Sequence, residues 1–420
     1  MSTNKSKFTL SEDWIAVILG FLIIVLSIAG IPFTAPSFGW NDSAGLLNTV
    51  LSADNLSIII KQFFFIYALG IAGILLFRKQ PKNFLLGFPV VYLLTILALV
   101  ITGNDKMKAL NLEAVIFSLG IGLIIGNFFK LPEWLKASLF SELFVKIGLV
   151  LLGTTVIFSE IIKAGSLGLI QALAVVLSVW YFAYWVCKKM KIDDELTMMI
   201  SSAVSICGVS AAIATAGAIK GDSKKLSYVI SMVLVVAIPM MLFMPPIAAY
   251  FGFSQEVTGA WLGGSIDTTG AVVASGSLVG EDALKISTIV KFSQNVLLGI
   301  AAFAISIYWT VSKRTNASGD VEKPTLKLIW NRFPKFVVGF VAASLLFSFF
   351  VSETTITTTK GGLKHIQGLW FALAFTSIGL ETRFKDLFAQ NSRKPLYAFL
   401  VAQGFNILIT LLIAWLLFGR

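Results

Sequence analysis

Two stretches of this 420-residue chain place hydrogen-bonding chemistry where an apolar helix would otherwise run. One reads GGSIDTTGAVVASG over 263–276, the other SSAVSICGVSAAIATAGA over 201–218. Lipid supplies no hydrogen-bond partners, so loosened backbone at membrane depth survives only within protein or beside a water-filled cavity. Asp267 adds a carboxylate, which is costly in mid-membrane and marks a functional site. Two interrupted segments in one hydrophobic chain point to the binding site of a transporter. Close helix packing by small residues is the rival explanation, and it is stronger for 201–218, which has no acid.

An interrupted helix exposes its ends. The second arms are expected to begin near Val209-Ser210 and Thr268-Thr269. Their free N–H groups, with about half a positive charge per helix, would make an anion site from backbone alone. Ser210, Thr268 and Thr269 add hydroxyl donors, and Ser205 and Ser265 lie on the other arms. Gly208, Gly264 and Gly270 let backbone come close to a ligand. Lys291, in STIVKFSQNVLL, is followed by Ser293, Gln294 and Asn295, a polar face at membrane depth. Lys291 is read as a counter-charge for the anion or as a salt-bridge partner of Asp267, with snorkelling to the interface as the alternative. An ionised Asp267 would repel an anion, which a proton on it or Lys291 beside it would resolve. The rival is that Asp267 binds Na⁺ or H⁺ directly, as in a cation/proton antiporter. Lys146 and Glu142 are one turn apart and read as a pair near a helix start. Glu381 reads as interfacial at the end of a span, and His365, the single histidine, is placed in a loop.

The elements that carry these residues follow from composition. The chain is 57% hydrophobic and only 13% charged, against about 25% charged for a soluble domain. It is read as polytopic, with no soluble domain. The formal charge of +11 fits cytoplasmic loops rich in Lys and Arg better than nucleic-acid binding. Cys187 and Cys207 lie in apolar context, with neither metal-ligand nor disulfide spacing, and no cofactor is indicated. The first apolar run is taken as an uncleaved span. Apolar runs cover 14–31, 57–77, 83–102, 109–129, 138–157, 166–187, 196–219, 225–250, 257–279, 284–312, 333–352, 367–382 and 397–418, with the longest linkers at 32–56 and 313–332. Most runs are near the ~20 residues that cross the hydrocarbon. With Lys5 and Lys7 cytoplasmic, the charge rule works best if the two interrupted runs return to the side they entered, which moves Lys220, Lys224 and Lys225 inside. The pattern predicts an all-α polytopic membrane protein with about eleven transmembrane helices plus two oppositely oriented re-entrant or broken helices. Helices that break but still cross are the alternative.

Residues 1–110 are read as N-terminal transmembrane helices, and 111–420 as a transporter core with inverted repeats over about 111–250 and 255–420. The repeat rests on GTTVIFSEII (153–162) against GLETRFKDLF (379–388), and on LGIGLIIGNFF (119–129) against VGFVAASLLF (338–347). Inverted repeats are a common plan of secondary transporters.

ICGVSAAIATA (206–216) and DALKISTIVKFSQNVLLG (282–299) resemble signatures of the YeiH family of bacterial inner-membrane proteins, assigned to sulfate export. The resemblance covers most of the chain after about Asn111. It implies Cys207, Gly208, Ser210, Ala211 and Lys291 as site residues. Gln294 stands where that family commonly has an arginine, so a fixed positive charge is missing here. The combined reading is a secondary transporter of a small anion such as sulfate or an organosulfur anion, with H⁺ or Na⁺ coupling. It is expected in the inner membrane as a multi-pass homodimer with its N-terminus cytoplasmic. A Na⁺/H⁺ antiporter using Asp267 and an ion channel are the alternatives. Enzyme activity is not expected, because no acid/base pair, metal cluster or nucleotide loop stands out.

Overall fold

The computed structural model describes residues 10–77, 81–110, 113–312, 334–385 and 393–419. The 313–332 linker and the end of the second repeat motif, 386–388, lie outside them. Among the described residues the chain is helical, apart from one isolated bridge between Trp40 and Asn104. The principal helices are α1 (Glu12–Ile28), α2 (Ala53–Leu76), α3 (Lys82–Thr102), α4 (Ala114–Phe128), α5 (Ser141–Leu152), α6 (Phe158–Lys189), α7 (Asp194–Ser202) and α8 (Val209–Ile219). They continue as α9 (Ser223–Tyr250), α10 (Gln255–Ser265), α11 (Thr269–Val279), α12 (Glu281–Val296), α13 (Leu298–Ser312), α14 (Lys335–Phe349), α15 (Glu353–Glu381) and α16 (Lys394–Phe418). By length and composition α2, α3, α6, α9 and α16 can each cross a membrane.

The chain divides into two compact units, Met1–Phe158 with Lys335–Thr382, and Ser159–Pro334 with Arg383–Arg420. Residue 110 is therefore interior to the first unit, and the stretches 111–250 and 255–420 each contribute to both units.

In the first unit, glycines set the closest helix contacts. A Cβ on Gly379 of α15 would fall 2.5 Å from the Leu119 carbonyl and 2.8 Å from the Gly122 Cα of α4. Gly153, just after α5, faces the Phe340 carbonyl of α14 in the same way. Where apolar contact alone drives no association, small residues that admit backbone-to-backbone packing hold helices together. Lys146 joins three acids of this unit: its ammonium lies 2.7 Å from Glu12, 3.0 Å from Asp13 and 3.2 Å from Glu142. Ser141 Oγ donates to Glu381 Oε2 at 2.6 Å. His365 is not in a loop. It lies inside α15 and meets the Gln62 side chain. The polar run before 367 hid that part of the helix, because its threonines bond back to their own backbone. Thr357 donates to the Glu353 carbonyl and Thr359 to that of Thr355, an arrangement that satisfies hydroxyls within a helix.

In the second unit, both interruptions are helical hairpins. The first descends as α7 and a π turn (Ala203–Cys207), reverses at Gly208, and returns as α8. Its foot is closed where the Asp222 N–H donates to Glu195 Oε2 at 3.1 Å and Lys225 bridges Asp193 (2.8 Å) and Glu195 (3.2 Å). The second descends as α10, reverses through 266–268, and returns as α11. Its foot is closed by Gln255, whose Oε1 accepts the Ala283 N–H at 3.3 Å and packs on Gly280. Gly280 holds φ +152° there, a backbone state that favours glycine. Start meets end in each case, so both segments fold back on themselves.

Helix α9 sets their orientation. Its 28 residues run about 42 Å from the foot of the first hairpin to that of the second. The feet therefore stand at opposite ends of α9 and the tips point towards each other. An 11-residue arm is about 16 Å long, roughly half of a ~30 Å hydrocarbon layer. At the basic foot, the Lys224 and Lys225 N–H groups hold the exposed Asp222 carboxyl below its ordinary range. That cap is complete above about pH 4 and is lost as the pH falls through the lowered value.

The glycine contact of the first unit yields a direct comparison. Gly379→Ala is expected to cost about 1–3 kcal/mol, because its new methyl meets fixed backbone. Gly361→Ala, with open space around it, should leave the melting temperature in detergent unchanged or raise it.

Candidate functional site

A helix ends with carbonyls that have no partner in their own ladder. At each hairpin tip the descending arm ends in the protein interior, away from water. The Val204, Ser205 and Ile206 carbonyls end one arm, and those of Gly264, Ser265 and Ile266 end the other. Every one of the six receives a side-chain donor. Lys291 Nζ donates to Ile206 at 3.0 Å and Ile266 at 2.8 Å. Gln294 Nε2 donates to Ser205 at 2.9 Å and Gly264 at 3.1 Å. Asn406 Nδ2 donates to Val204 at 3.0 Å and Ser265 at 3.1 Å. Gln403 Nε2 adds a second donor to Ser265 at 2.8 Å. Lys291, Gln294 and Asn406 thus each bridge the two hairpins.

Burial makes these bonds compulsory. Lys291 and Gln294 are each only 1% exposed. A cation at a helix C-terminus also balances the partial negative charge there. Lys291 spends its third donor on Gln294 Oε1 at 2.8 Å. An ammonium has three N–H bonds, so none is left for a ligand.

The tips themselves touch. A Cβ on Gly208 would lie 3.0 Å from the Asp267 Cβ, 3.2 Å from its carbonyl oxygen and 2.6 Å from Val233 Cγ1. Gly208 also has φ +58° and ψ −109°. The break there requires glycine both for its backbone angles and for this close approach. Asp267 is 2% exposed, and its Oδ2 has no hydrogen-bond partner. It makes no ion pair with Lys291, although each lies within the electrostatic reach of the other.

The returning arms begin where the sequence places them. Helix α8 starts at Val209 with no side-chain cap on its first N–H groups. Helix α11 starts at Thr269, with Thr268 Oγ1 accepting the Ala271 N–H at 3.3 Å. Ser210 is exposed, and Thr268, Thr269 and Gly270 are half-buried. The N-terminal ends are therefore open to the surface of the chain, whereas the C-terminal ends are sealed.

Several expected donors are spent elsewhere. Ser205 Oγ donates to the Ser201 carbonyl at 2.7 Å, and Ser265 Oγ to that of Trp261 at 2.5 Å. Both hydroxyls serve their own helices. The Lys291–Asp267 ion pair, one of the two roles read for Lys291, is absent, and the ammonium bonds carbonyls instead. Cys207 and Ala211 lie in an apolar cluster with Ala172, Val176 and Leu298. Gly264 packs against Gln171 and Thr410. Asn295 is buried, and its Oδ1 has no partner. Sequence reasoning missed Gln171, Gln403 and Asn406. Gln403, Asn406 and Thr410 recur at helical spacing on one face of α16, a polar stripe in an apolar helix that was a legible signal.

A protein-family model described as Conserved hypothetical protein 698 matches residues 86–398. The chain belongs to that family. A UPF0324 membrane protein of Rhodopirellula baltica, RB9488, is 40% identical over 92% of this chain and 72% of its own length. Two UPF0324 membrane proteins of Nitratidesulfovibrio vulgaris are 37% and 35% identical over 84% and 88% of this chain. The chain spans 63% and 65% of those two relatives. No solved structure matches. The family is the one that the ICG and T-x-VK segments resemble, and its members are named as membrane proteins. Both hairpins lie within the matched region, while Gln403 and Asn406 lie just beyond it.

The clasp of donors predicts an order of stability. Lys291→Met would strip the donor from two buried carbonyls and from Gln294 Oε1, at about 1–3 kcal/mol for each orphaned group. It should lower the melting temperature in detergent well below that of Asp267→Asn, which removes no donor from either arm.

Proposed function

We propose that this protein is a secondary transporter of a small anion, sulfate or an organosulfur anion, bound at the N-terminal ends of α8 and α11. The observation that carries this reading is the unequal treatment of four helix ends. The two carbonyl ends are sealed by Lys291, Gln294, Asn406 and Gln403. The two N–H ends face accessible space beside Ser210, Thr268 and Thr269. Backbone N–H groups at a helix start are anion donors. Asp267 supplies a second pointer, being a buried carboxylate with an unpartnered oxygen at the same junction.

Charge arithmetic gives the coupling. Each helix end carries about half a charge. Lys291 offsets the two C-terminal ends. The two N-terminal ends sum to about one positive charge, which an ionised Asp267 cancels. A cation on Asp267 leaves that end positive and able to hold an oxyanion. The anion then travels with H⁺ or Na⁺. The reciprocal contacts of the repeat motifs, Gly153 against Phe340 and Gly379 against Leu119, support an inverted-repeat plan of the kind used by such carriers. The distribution of Lys and Arg supports an inner-membrane orientation with the N-terminus cytoplasmic.

The unpartnered Asp267 oxygen also favours a second reading, a cation/proton antiporter that needs no anion. Proteoliposome flux separates the two. The anion carrier is expected to take up labelled sulfate or sulfite saturably, with affinity rising as the pH falls or Na⁺ is added. Ser210→Ala should weaken that affinity about tenfold, the value of one hydrogen bond to a charged group. Asp267→Asn should transport without dependence on pH or Na⁺. Na⁺-driven proton movement that is indifferent to anions, and abolished in Asp267→Asn, would select the antiporter. Unsaturable current would select a channel.

A further inference from the structure

We infer that the cation held at Asp267 is a proton, shared between its carboxyl and the side-chain amide of Gln403. Its use in transport rests on the carrier reading above; its geometry does not. Asp267 Oδ2 and Gln403 Oε1 are both buried acceptors without a partner. Gln403, 2% exposed on α16, lies beside the Asp267 carboxyl, and its Nε2 donates to the Ser265 carbonyl two residues before it. Two orphaned acceptors on neighbouring buried side chains are costly in the interior, and the cost marks what is missing between them.

The supply of oxygens decides what that is. A protonated carboxyl is a donor. One proton on Asp267 therefore removes an orphan and creates the partner that an amide oxygen lacks. An alkali cation needs a cage of several oxygens. The carbonyls just before Asp267 in the chain, those of Gly264, Ser265 and Ile266, already accept hydrogen bonds from Gln294, Gln403, Asn406 or Lys291, and these donors compete with a cation for the same oxygens. The remaining contact of Gln403 is the Met240 sulfur, 3.1 Å from Nε2, a poor ligand for such a cation. The titratable neighbours are Lys291 from α12, beside Asp267, and the Cys207 thiol from the π turn, beside Lys291. Helix α9 contributes Val233 and Met240 at this level, and α16 contributes Gln403 and Asn406. Lys291 is fixed to carbonyls, so of the two charged groups at the tips Asp267 is the one that can gain or lose a proton without breaking the clasp.

Infrared difference spectra of the full chain in lipid, titrated with pH, test this without a substrate. Wild type is expected to show the C=O stretch of a protonated carboxylic acid that is lost in Asp267→Asn and shifted in Gln403→Leu. It should be unchanged when choline replaces Na⁺. If Gln403→Leu does not fold, Gln403→Glu should add a second band, as two carboxyls share the site. A band that survives in Asp267→Asn, that Na⁺ abolishes, or that neither Gln403 variant alters overturns the inference. Sulfate or sulfite flux, measured on the same preparations, keeps the two ideas apart. Flux without the Asp267 band sinks the proton pair alone, and the band without any flux sinks the carrier alone.

Discussion

The structure depends on one requirement, that the carbonyls ending two interrupted helices find donors in an interior without water. A backbone carbonyl left unpaired in such a place costs about 1–3 kcal/mol, and six of them meet around the hairpin tips. The chain meets the requirement with side chains from α12 and α16. Because Lys291, Gln294 and Asn406 each reach both hairpins, the solution also joins the tips. Satisfying the carbonyls and holding the hairpins together are the same act.

That act leaves a polarity behind. Carbonyl ends sealed by an ammonium and amides face inward, and N–H ends remain open beside hydroxyls. A buried carboxylate then stands between them with one oxygen unpartnered. In the carrier reading proposed here, that local chemistry is donor-rich on one side and takes up a proton or cation at its centre. Backbone N–H groups and helix dipoles act through geometry, and they change strength with the charge on one neighbouring acid.

Several features were legible in the residues. The helix restarts at Val209 and Thr269 were marked by Gly208 and by Thr268, because a positive φ and an N-cap each need particular side chains. The folding back of the first interrupted run on itself was foreshadowed by Lys220, Lys224 and Lys225, and Lys225 sits in the ion pairs that close its foot. Other features were hidden for a shared reason. His365 was placed in a loop because a threonine-rich helix start looks polar until its hydroxyls are seen bonding their own backbone. At Lys291 a sequence displays the charge and hides the carbonyls it faces.

By itself, then, the sequence determined where the helices break, which residues line the breaks, and that the chain is an α-helical membrane protein of its family. Those properties reside in residue types and short spacings. Tertiary structure alone decided that the tips touch, that the carbonyl ends are sealed by Lys291, Gln294 and Asn406, and that Gln403 stands beside Asp267. Backbone carbonyls are present at every position and carry no mark in a sequence. Which of them go unpaired, and which distant amide comes to them, exists only once α12 and α16 are packed against both hairpins.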